Sequence, residues 1–312
     1  MSYVKPAELV TRMVDAGAYK LQLSTRDTLI RSFMGAAFLT MGAAFAVTVS
    51  TNTGQPLLGA LLFPVGFVIL YLFGYDLLTG VFTLGPLAVI DKRPGATLGA
   101  MFRNWGLVFL GNFGGAFFIA ILMAIYFTYG FSTEPSAVGH AISEIGHSRT
   151  VGYADHGAAG MLTLFIRGVL CNWLVSTGVV LSMVSDNVVA KILAMWLPIM
   201  LFFYMGFEHS VVNMFLFPSG LLLGADFTLM DYLIWNEIPT VIGNLVGGLL
   251  FVGLPLYFTH GKPTARRVRG EKSTTRRLRR TPVAGPTPAP VVEAAAESSK
   301  DSDRLAEPLS VG

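Results

Sequence analysis

Residues 206–213 read GFEHSVVN, and they interrupt an apolar run that extends from Val188 to about Leu223. Polar groups are costly in hydrocarbon because they find no water to replace their hydrogen bonds. Non-helical backbone survives at membrane depth only where it is buried in protein or lines a cavity. The stretch therefore predicts a helix that is broken inside a membrane protein.

An earlier apolar run, which begins near Leu57, is interrupted in the same way by residues 74–80, GYDLLTG. Three short segments recur in order at nearly constant spacing: 29–32 with 165–168 (offset 136), 74–76 with 206–208 (offset 132) and 111–115 with 243–247 (offset 132). Small residues recur by chance wherever membrane helices pack, but the nearly constant offset favours an internal repeat. The two interruptions occupy corresponding places in it.

The composition supports a membrane protein, with 53% hydrophobic and only 13% charged residues, against about 25% charged in soluble domains. One crossing takes roughly 20 residues, and six apolar segments qualify: about 28–49, from 57 onward, 105–129, 161–183, 188–223 and 239–258. Three crossings per half place the second half upside down relative to the first. We predict an all-α membrane protein with six transmembrane helices as an inverted 3+3 repeat, the second and fifth of them broken.

Charge predicts three regions and their topology. Residues 1–26 form an amphipathic helix with Leu9, Val10, Met13 and Val14 on one face, 27–260 form the transmembrane domain, and 261–312 form a tail that is first basic and then rich in Pro, Ala and Glu. The tail composition predicts disorder. Positive charge follows the second and fourth segments and the sixth, so both termini are expected in the cytoplasm of a multi-pass protein of the plasma (inner) membrane. Beside a membrane helix, the basic patch favours anionic lipid over nucleic acid as its partner.

The ionisable residues at membrane depth are the candidates for function. Half-helices on either side of the two breaks would direct positive dipole ends to the midplane, which favours an anion there. His209 titrates near pH ~6.5 in water, so it could protonate a weak-acid anion, or it could stay neutral and only hold the broken loop together. Glu208 and Asp76 are expected to support the loops, since a carboxylate would repel an anion. Asn172 and Asn213 are the asparagines favoured to line a path.

Enzymatic motifs are scarce in this sequence. It has no GxxxxGK[ST] phosphate loop, and the spacing of His140, His147 and His156 matches no metal motif. We therefore expect no enzymatic activity, no cofactor and no metal.

The Gly-Phe-Glu-His-Ser-x-x-Asn-Met string at 206–214, Asp-Leu-Leu-Thr at 76–79 and residues 167–175 resemble the formate/nitrite transporter family. The resemblance covers roughly residues 3–259. It implies a homopentamer of aquaporin-like protomers, each with its own pore, that transports formate, nitrite or a related small monovalent anion together with a proton. It also implies that Thr79 faces His209, that Asn172 lines the pore, and that apolar constrictions lie at Phe67 and Leu77 on one side and at Phe202 on the other.

The sequence departs from the family pattern in the outer vestibule. Many members carry a lysine sixteen residues before the pore asparagine, and an ungapped count places His156 there.

Two other functions stay open. One is an aquaporin-like channel for a neutral solute, hydrosulfide, lactate or acetate, although the sequence has no Asn-Pro-Ala tripeptide. The other is a membrane scaffold that binds an anionic partner through the basic tail.

Overall fold

The computed structural model describes residues 3–261, which are almost entirely helical. Within them the only isolated β-bridge joins Tyr3 to Ser185. The helices are α1 Pro6–Gln22, α2 Thr25–Thr53, α3 Pro56–Leu62, α4 Pro64–Leu72, α5 Leu78–Ile90, α6 Leu98–Phe127, α7 Ala137–Ser148, α8 Val151–Ala154, α9 Gly157–Leu181, α10 Val188–Tyr204 and α11 Ser210–Leu222, followed by the last helix, Leu229–His260. The last helix contains two π-helical turns, Leu233–Glu237 and Leu249–Gly253.

Four helices are long and apolar enough to cross a membrane: α2, α6, α9 and the last helix. Polar side chains cap the starts of α2, α6 and α10, since Ser24, Thr97 and Asn187 each accept a backbone N–H of the helix that follows. Such caps satisfy N–H groups that have no partner within the helix. These three helices thus begin where the sequence supplies a capping side chain.

Glycines allow two pairs of long helices to pack closely. A Cβ at Gly168 of α9 would lie 3.2 Å from the Thr240 carbonyl oxygen, and one at Gly243 would lie 2.7 Å from the Phe165 carbonyl oxygen. The backbones of α9 and the last helix therefore approach to a distance that only glycine permits. In the first half, Gly111 holds the corresponding position to Gly243 (243 − 111 = 132) and packs α6 against Ser32 of α2.

Several predicted boundaries were wrong. α2 continues to Thr53, beyond the predicted end near residue 49, and the stretch between the predicted segments 105–129 and 161–183 contains α7, whose Val138 and Ile142 are buried. The last helix begins at Leu229 because Thr228 and Asp231 form a capping box. The two interruptions are shorter than predicted: the first break is residues 73–77 and the second break is residues 205–209.

Helix α1 buries the face that its sequence pattern predicts, including Leu9, Val10, Met13 and Val14. Three ion pairs hold this helix to the rest of the chain: Arg12 with Asp186, Asp15 with Arg93, and Lys20 with Asp76. Its cytoplasmic location stays a prediction. The predicted tail, 261–312, lies outside the described residues except for Gly261.

Candidate functional site

The first break is closed by an asparagine from another helix. Gly74 takes a left-handed conformation (φ 73°), which favours glycine, and α5 begins at Leu78. The backbone N–H of Leu78 donates to Asn112 Oδ1 at 2.8 Å, and Asn112 Nδ2 donates to the carbonyl oxygens of Ser32 at 2.7 Å and Asp76 at 3.0 Å. One buried amide therefore satisfies the N–H of Leu78 and the carbonyl oxygen of Asp76 at the break and joins them to Ser32 of α2.

The second break repeats this arrangement residue by residue. Gly206 has φ 65°, and the N–H of Ser210 donates to Asn244 Oδ1 at 3.0 Å. Asn244 Nδ2 donates to the carbonyl oxygens of Gly168 at 2.8 Å and Glu208 at 2.9 Å. Asn244 corresponds to Asn112 at the offset of the sequence repeat (244 − 112 = 132). The half-helices α5 and α11 thus begin at equivalent points of the repeat.

His209 lies immediately before α11 and is almost completely buried. The backbone N–H of Val212 donates to its Nδ1 at 3.3 Å, so the proton of the neutral ring is assigned to Nε2. His209 Nε2 lies 3.4 Å from Thr79 Oγ1, which stands in the first turn of α5. The Phe202 ring stacks on the imidazole with 5.6 Å between centroids. The structure therefore brings together His209, Thr79 and Phe202.

Asn172 lies on the Thr79 side of this group. Its Nδ2 donates to the carbonyl oxygens of Thr79 at 3.2 Å and Asn244 at 2.6 Å, and its Oδ1 accepts the Ser176 hydroxyl at 3.0 Å. Ser176 Oγ is in turn 2.5 Å from Thr83 Oγ1. Asn172 thus joins α9 to the beginning of α5 and to the asparagine that caps α11.

A cavity of about 560 Å³ reaches His209. Its lining includes apolar side chains and polar or charged ones: Phe202, Phe203, Phe207, Val212 and Leu216, and Ser50, Thr51, Glu144, Ser148 and Arg149. The cavity therefore combines an apolar wall, a guanidinium group and a carboxylate with the imidazole of His209.

The carboxylate of Glu208 is buried beside this cavity in a dense hydrogen-bond network. Its oxygens accept Tyr153 Oη at 2.8 Å, Asn213 Nδ2 at 3.0 Å and Asn236 Nδ2 at 3.3 Å, and Arg149 Nη1 lies 3.6 Å away. Burial raises the pKa of the Tyr153 phenol, which keeps it a donor to Glu208. Glu208 therefore holds the second break and does not line the cavity that reaches His209.

Asn213 was predicted to line the path, but the structure places it in the Glu208 network. It donates to Glu208 and to Asn236 Oδ1, the latter at 2.6 Å, and it does not line the cavity that reaches His209. In the first turn of α11, the side chain of Asn213 contacts Glu208 and the last helix.

Asp76 is the corresponding carboxylate of the first break, and its partner is Lys20 of α1. Asn104 Nδ2 donates to the Lys20 carbonyl oxygen at 3.1 Å, and Asn236 Nδ2 donates to the Arg149 carbonyl oxygen at 3.0 Å. The two asparagines stand at the repeat offset (236 − 104 = 132). Lys20 and Arg149 were not predicted as partners of the two carboxylates. The paired asparagines at the repeat offset could have indicated where these two cations bind.

His156 does not line the cavity that reaches His209. It lies in a second pocket, of about 450 Å³, with Tyr153 and Arg167, whereas Arg149 lines the first. The replacement of the family's vestibule lysine by His156 stays a prediction. Phe67 and Leu77, the other predicted constriction residues, are buried, and Phe67 packs on Tyr71 with 4.4 Å between ring centroids.

Comparison with known proteins gives one consistent family. The family model described as "Formate/nitrite transporter" matches residues 7–258. A probable formate transporter of Methanothermobacter thermautotrophicus is 33% identical over 276 residues, which are 84% of this chain and 98% of that protein. The formate channel BtFdhC of Bacillus thuringiensis is 31% identical and covers 84% of this chain and 98% of its own length. The formate channel FocA of Escherichia coli (strain K12) is 28% identical, covering 80% and 92%.

Two solved structures share the fold. One, described as an FNT family ion channel, has a TM-score of 0.70 at 24% identity and covers 81% of this chain and 98% of its own. The other, described as a pentameric formate channel with formate bound, has a TM-score of 0.62 at 22% identity and covers 76% and 97%. At these identities the likeness establishes the fold.

Proposed function

The chain belongs to the formate/nitrite transporter family, whose members are channels and transporters and not enzymes, and from this premise we propose that it conducts formate or nitrite through a pore in each protomer. The observation that carries the proposal is the meeting of His209 Nε2 and Thr79 Oγ1 at the beginnings of α11 and α5. Two donors and two positive helix ends converge on one point, which suits a small anion.

We propose six crossings in an inverted 3+3 repeat: α2, α3–α5, α6, α9, α10–α11 and the last helix, with both termini cytoplasmic in the plasma (inner) membrane. The matched contacts of Asn112 and Asn244 support the repeat. Exposed apolar side chains such as Leu110 and Leu197 suit contact with lipid or with neighbouring protomers. The pentameric assembly of a similar formate channel supports a homopentamer.

Arg149 is the cation that we propose for the vestibule, in place of His156. It lines the cavity that reaches His209, and its ion pair with Glu208 leaves donors of the guanidinium for an incoming anion. Beyond it, Phe202, Phe207 and Val212 favour loss of water from the anion. The anion then exchanges its water for the Nε2–H of His209 and the hydroxyl of Thr79.

Proton linkage through His209 is also proposed, with a structural condition. Because Nδ1 accepts the Val212 N–H, the neutral ring offers only Nε2–H to the anion. The ring takes a second proton only when Val212 releases Nδ1, which requires a shift in the first turn of α11. Protonation of the anion by His209 is thus coupled to a movement at the second break.

Uptake of radiolabelled formate and nitrite into proteoliposomes tests the proposal. The wild type should pass both anions, and His209→Ala should reduce passage by about tenfold because it removes a buried donor. His147→Ala, on the exposed end of α7, is the matched control and should behave as the wild type. Wild-type vesicles that pass neither anion would reject the proposal, and vesicles that pass only water or glycerol would favour a neutral-solute channel.

A further inference from the structure

At four positions, the second half of the sequence repeat differs from the first half in the same way. In the first half they hold apolar or aromatic side chains, and in the second half they hold polar ones. At the offset of 132 (210 − 78), the pairs are Leu78 with Ser210, Val81 with Asn213, Trp105 with Glu237, and Val108 with Thr240. Polar groups are costly at this depth, so a change from apolar to polar at four linked positions indicates a function.

Each of the four polar side chains has a buried atom without a hydrogen-bond partner among residues 3–261. The atoms are Ser210 Oγ, Asn213 Oδ1, Glu237 Oε1 and Thr240 Oγ1. All four residues are at most 3% exposed. Buried polar atoms in native proteins are paired in the large majority of cases, by protein or by ordered water. The four atoms belong to two helices that contact each other through Asn213 and Asn236, and each lacks a partner within the described residues.

The four atoms belong to two helix faces that meet. Ser210 and Asn213 lie one turn apart on α11, and Glu237 and Thr240 lie one turn apart on the last helix. Asn213 Nδ2 donates to Oδ1 of Asn236, the residue before Glu237, at 2.6 Å. The π-helical turn Leu233–Glu237 turns both Asn236 and Glu237 inward, and such turns are frequent at functional sites.

In the first half, apolar and aromatic side chains occupy the positions that correspond to Glu237 and Asn213. Trp105 Nε1 donates to the Val81 carbonyl oxygen at 3.3 Å, and the Trp105 ring packs edge-on against Phe82 with 4.9 Å between centroids. Glu237 and Asn213 replace Trp105 and Val81 in the second half. The exchange puts a carboxyl group and an amide where the first half has an indole and an isopropyl group.

The chemistry of the four atoms identifies the ligand. A carboxylate oxygen and an amide oxygen accept hydrogen bonds, and two hydroxyl groups both donate and accept. Such a set repels an anion and suits water, which takes two to four polar partners in protein interiors. We propose that the second half encloses an internal water site between α11 and the last helix, which continues the Glu208 network to Glu237.

The water site links two carboxyl groups that no direct contact joins. Glu237 Oε2 accepts the Tyr232 hydroxyl at 2.8 Å, while Oε1 faces the site. Asn213 donates to Glu208 through Nδ2 and presents Oδ1 to the water. A chain of hydrogen bonds then runs from Tyr232 through Glu237 and water to the loop that carries His209. The inference goes beyond the proposed function and does not depend on which anion passes.

High-resolution electron cryomicroscopy of the full chain in nanodiscs tests it. Ordered density within hydrogen-bond distance of Glu237 Oε1 and Asn213 Oδ1 is expected in the wild type. Thr240→Val, which restores the residue of the first half, should remove or displace that density. Thr40→Val is the matched control, since Thr40 is equally buried but already bonds the Ala36 carbonyl oxygen at 2.8 Å, and it should leave the density unchanged.

The wild-type map alone decides the existence of the site, whether or not Thr240→Val folds. Direct side-chain pairing of the four atoms, or a space without density in a map that resolves other internal waters, would overturn the proposal. Density that persists unchanged in Thr240→Val would also overturn it as drawn, because Thr240 would then not belong to the site. A failure of formate uptake would reject the proposed function and leave this result standing.

Discussion

The two breaks have the same hydrogen bonds to the backbone, but the side chains around them differ. Asn112 and Asn244 make matching contacts, so the half-helices of both breaks are capped alike. The carboxylate of Asp76 has one partner, Lys20, whereas the carboxylate of Glu208 has four. The asparagine caps allow α5 and α11 to begin inside the protein, and the surrounding side chains differ between the two breaks.

The largest expected effect comes from removing the two carboxylates. Glu208→Ala removes the carboxylate that Arg149, Tyr153, Asn213 and Asn236 contact, and loss of one side of a buried charged network costs about 3–5 kcal/mol. Asp76→Ala leaves only Lys20, whose side chain is 17% exposed and can turn to water, so about 1–3 kcal/mol is expected. Thermal unfolding in detergent should rank the midpoints wild type, Asp76→Ala, Glu208→Ala. The reverse order of the two variants would contradict the comparison.

Replacement of Arg149 and replacement of Lys20 should have different effects on formate uptake. Arg149→Gln is expected to lower formate uptake about tenfold at low ionic strength and to flatten its dependence on salt, because Arg149 lines the cavity. Lys20→Gln should leave the salt dependence of uptake as it is, since Lys20 pairs with Asp76 and lies outside that cavity. Uptake measured across a series of salt concentrations compares the two. Equal salt dependence in both variants would remove the vestibule role of Arg149.

The smallest effect concerns the helix that brings Lys20 to the first break. Arg12 donates to Asp186 at 2.7 Å and holds the pKa of that exposed carboxyl below its usual value. Because the pKa in the folded state is lowered, the contribution to stability is present above pH ~3.9 and is lost as pH falls through the folded value. Asp186→Asn should therefore lower the unfolding midpoint slightly at neutral pH and not at strongly acidic pH.

The double variant with Arg12→Gln isolates this contact. When Arg12 is already absent, Asp186→Asn should change the midpoint equally at both pH values. A pH-dependent difference that survives in the Arg12→Gln background would assign the effect to another partner of Asp186.

The sequence predicts the helical fold, the family and the meeting of His209 with Thr79 because periodic hydrophobicity and a specific motif carry them. It does not reveal that Arg149 contacts Glu208 and Lys20 contacts Asp76, because the direction of the segments that carry these cations depends on tertiary contacts. Asn213 was misplaced for a similar reason: a polar residue beside a pore motif faces either the path or the neighbouring helix, and only packing decides. The roles of Phe67, Leu77 and Phe202 as constrictions remain predictions.

In the proposed function a small anion meets the Nε2–H of a neutral His209 beside Thr79. Nitrogen-15 NMR of histidine-labelled protein in lipid observes this ring, with His209→Asn identifying its signal among the five histidines. We expect a ring protonated at Nε2 and not at Nδ1, with an Nε2 signal that shifts when formate is added. A ring protonated at Nδ1, or an Nε2 signal that formate leaves unchanged, would contradict it.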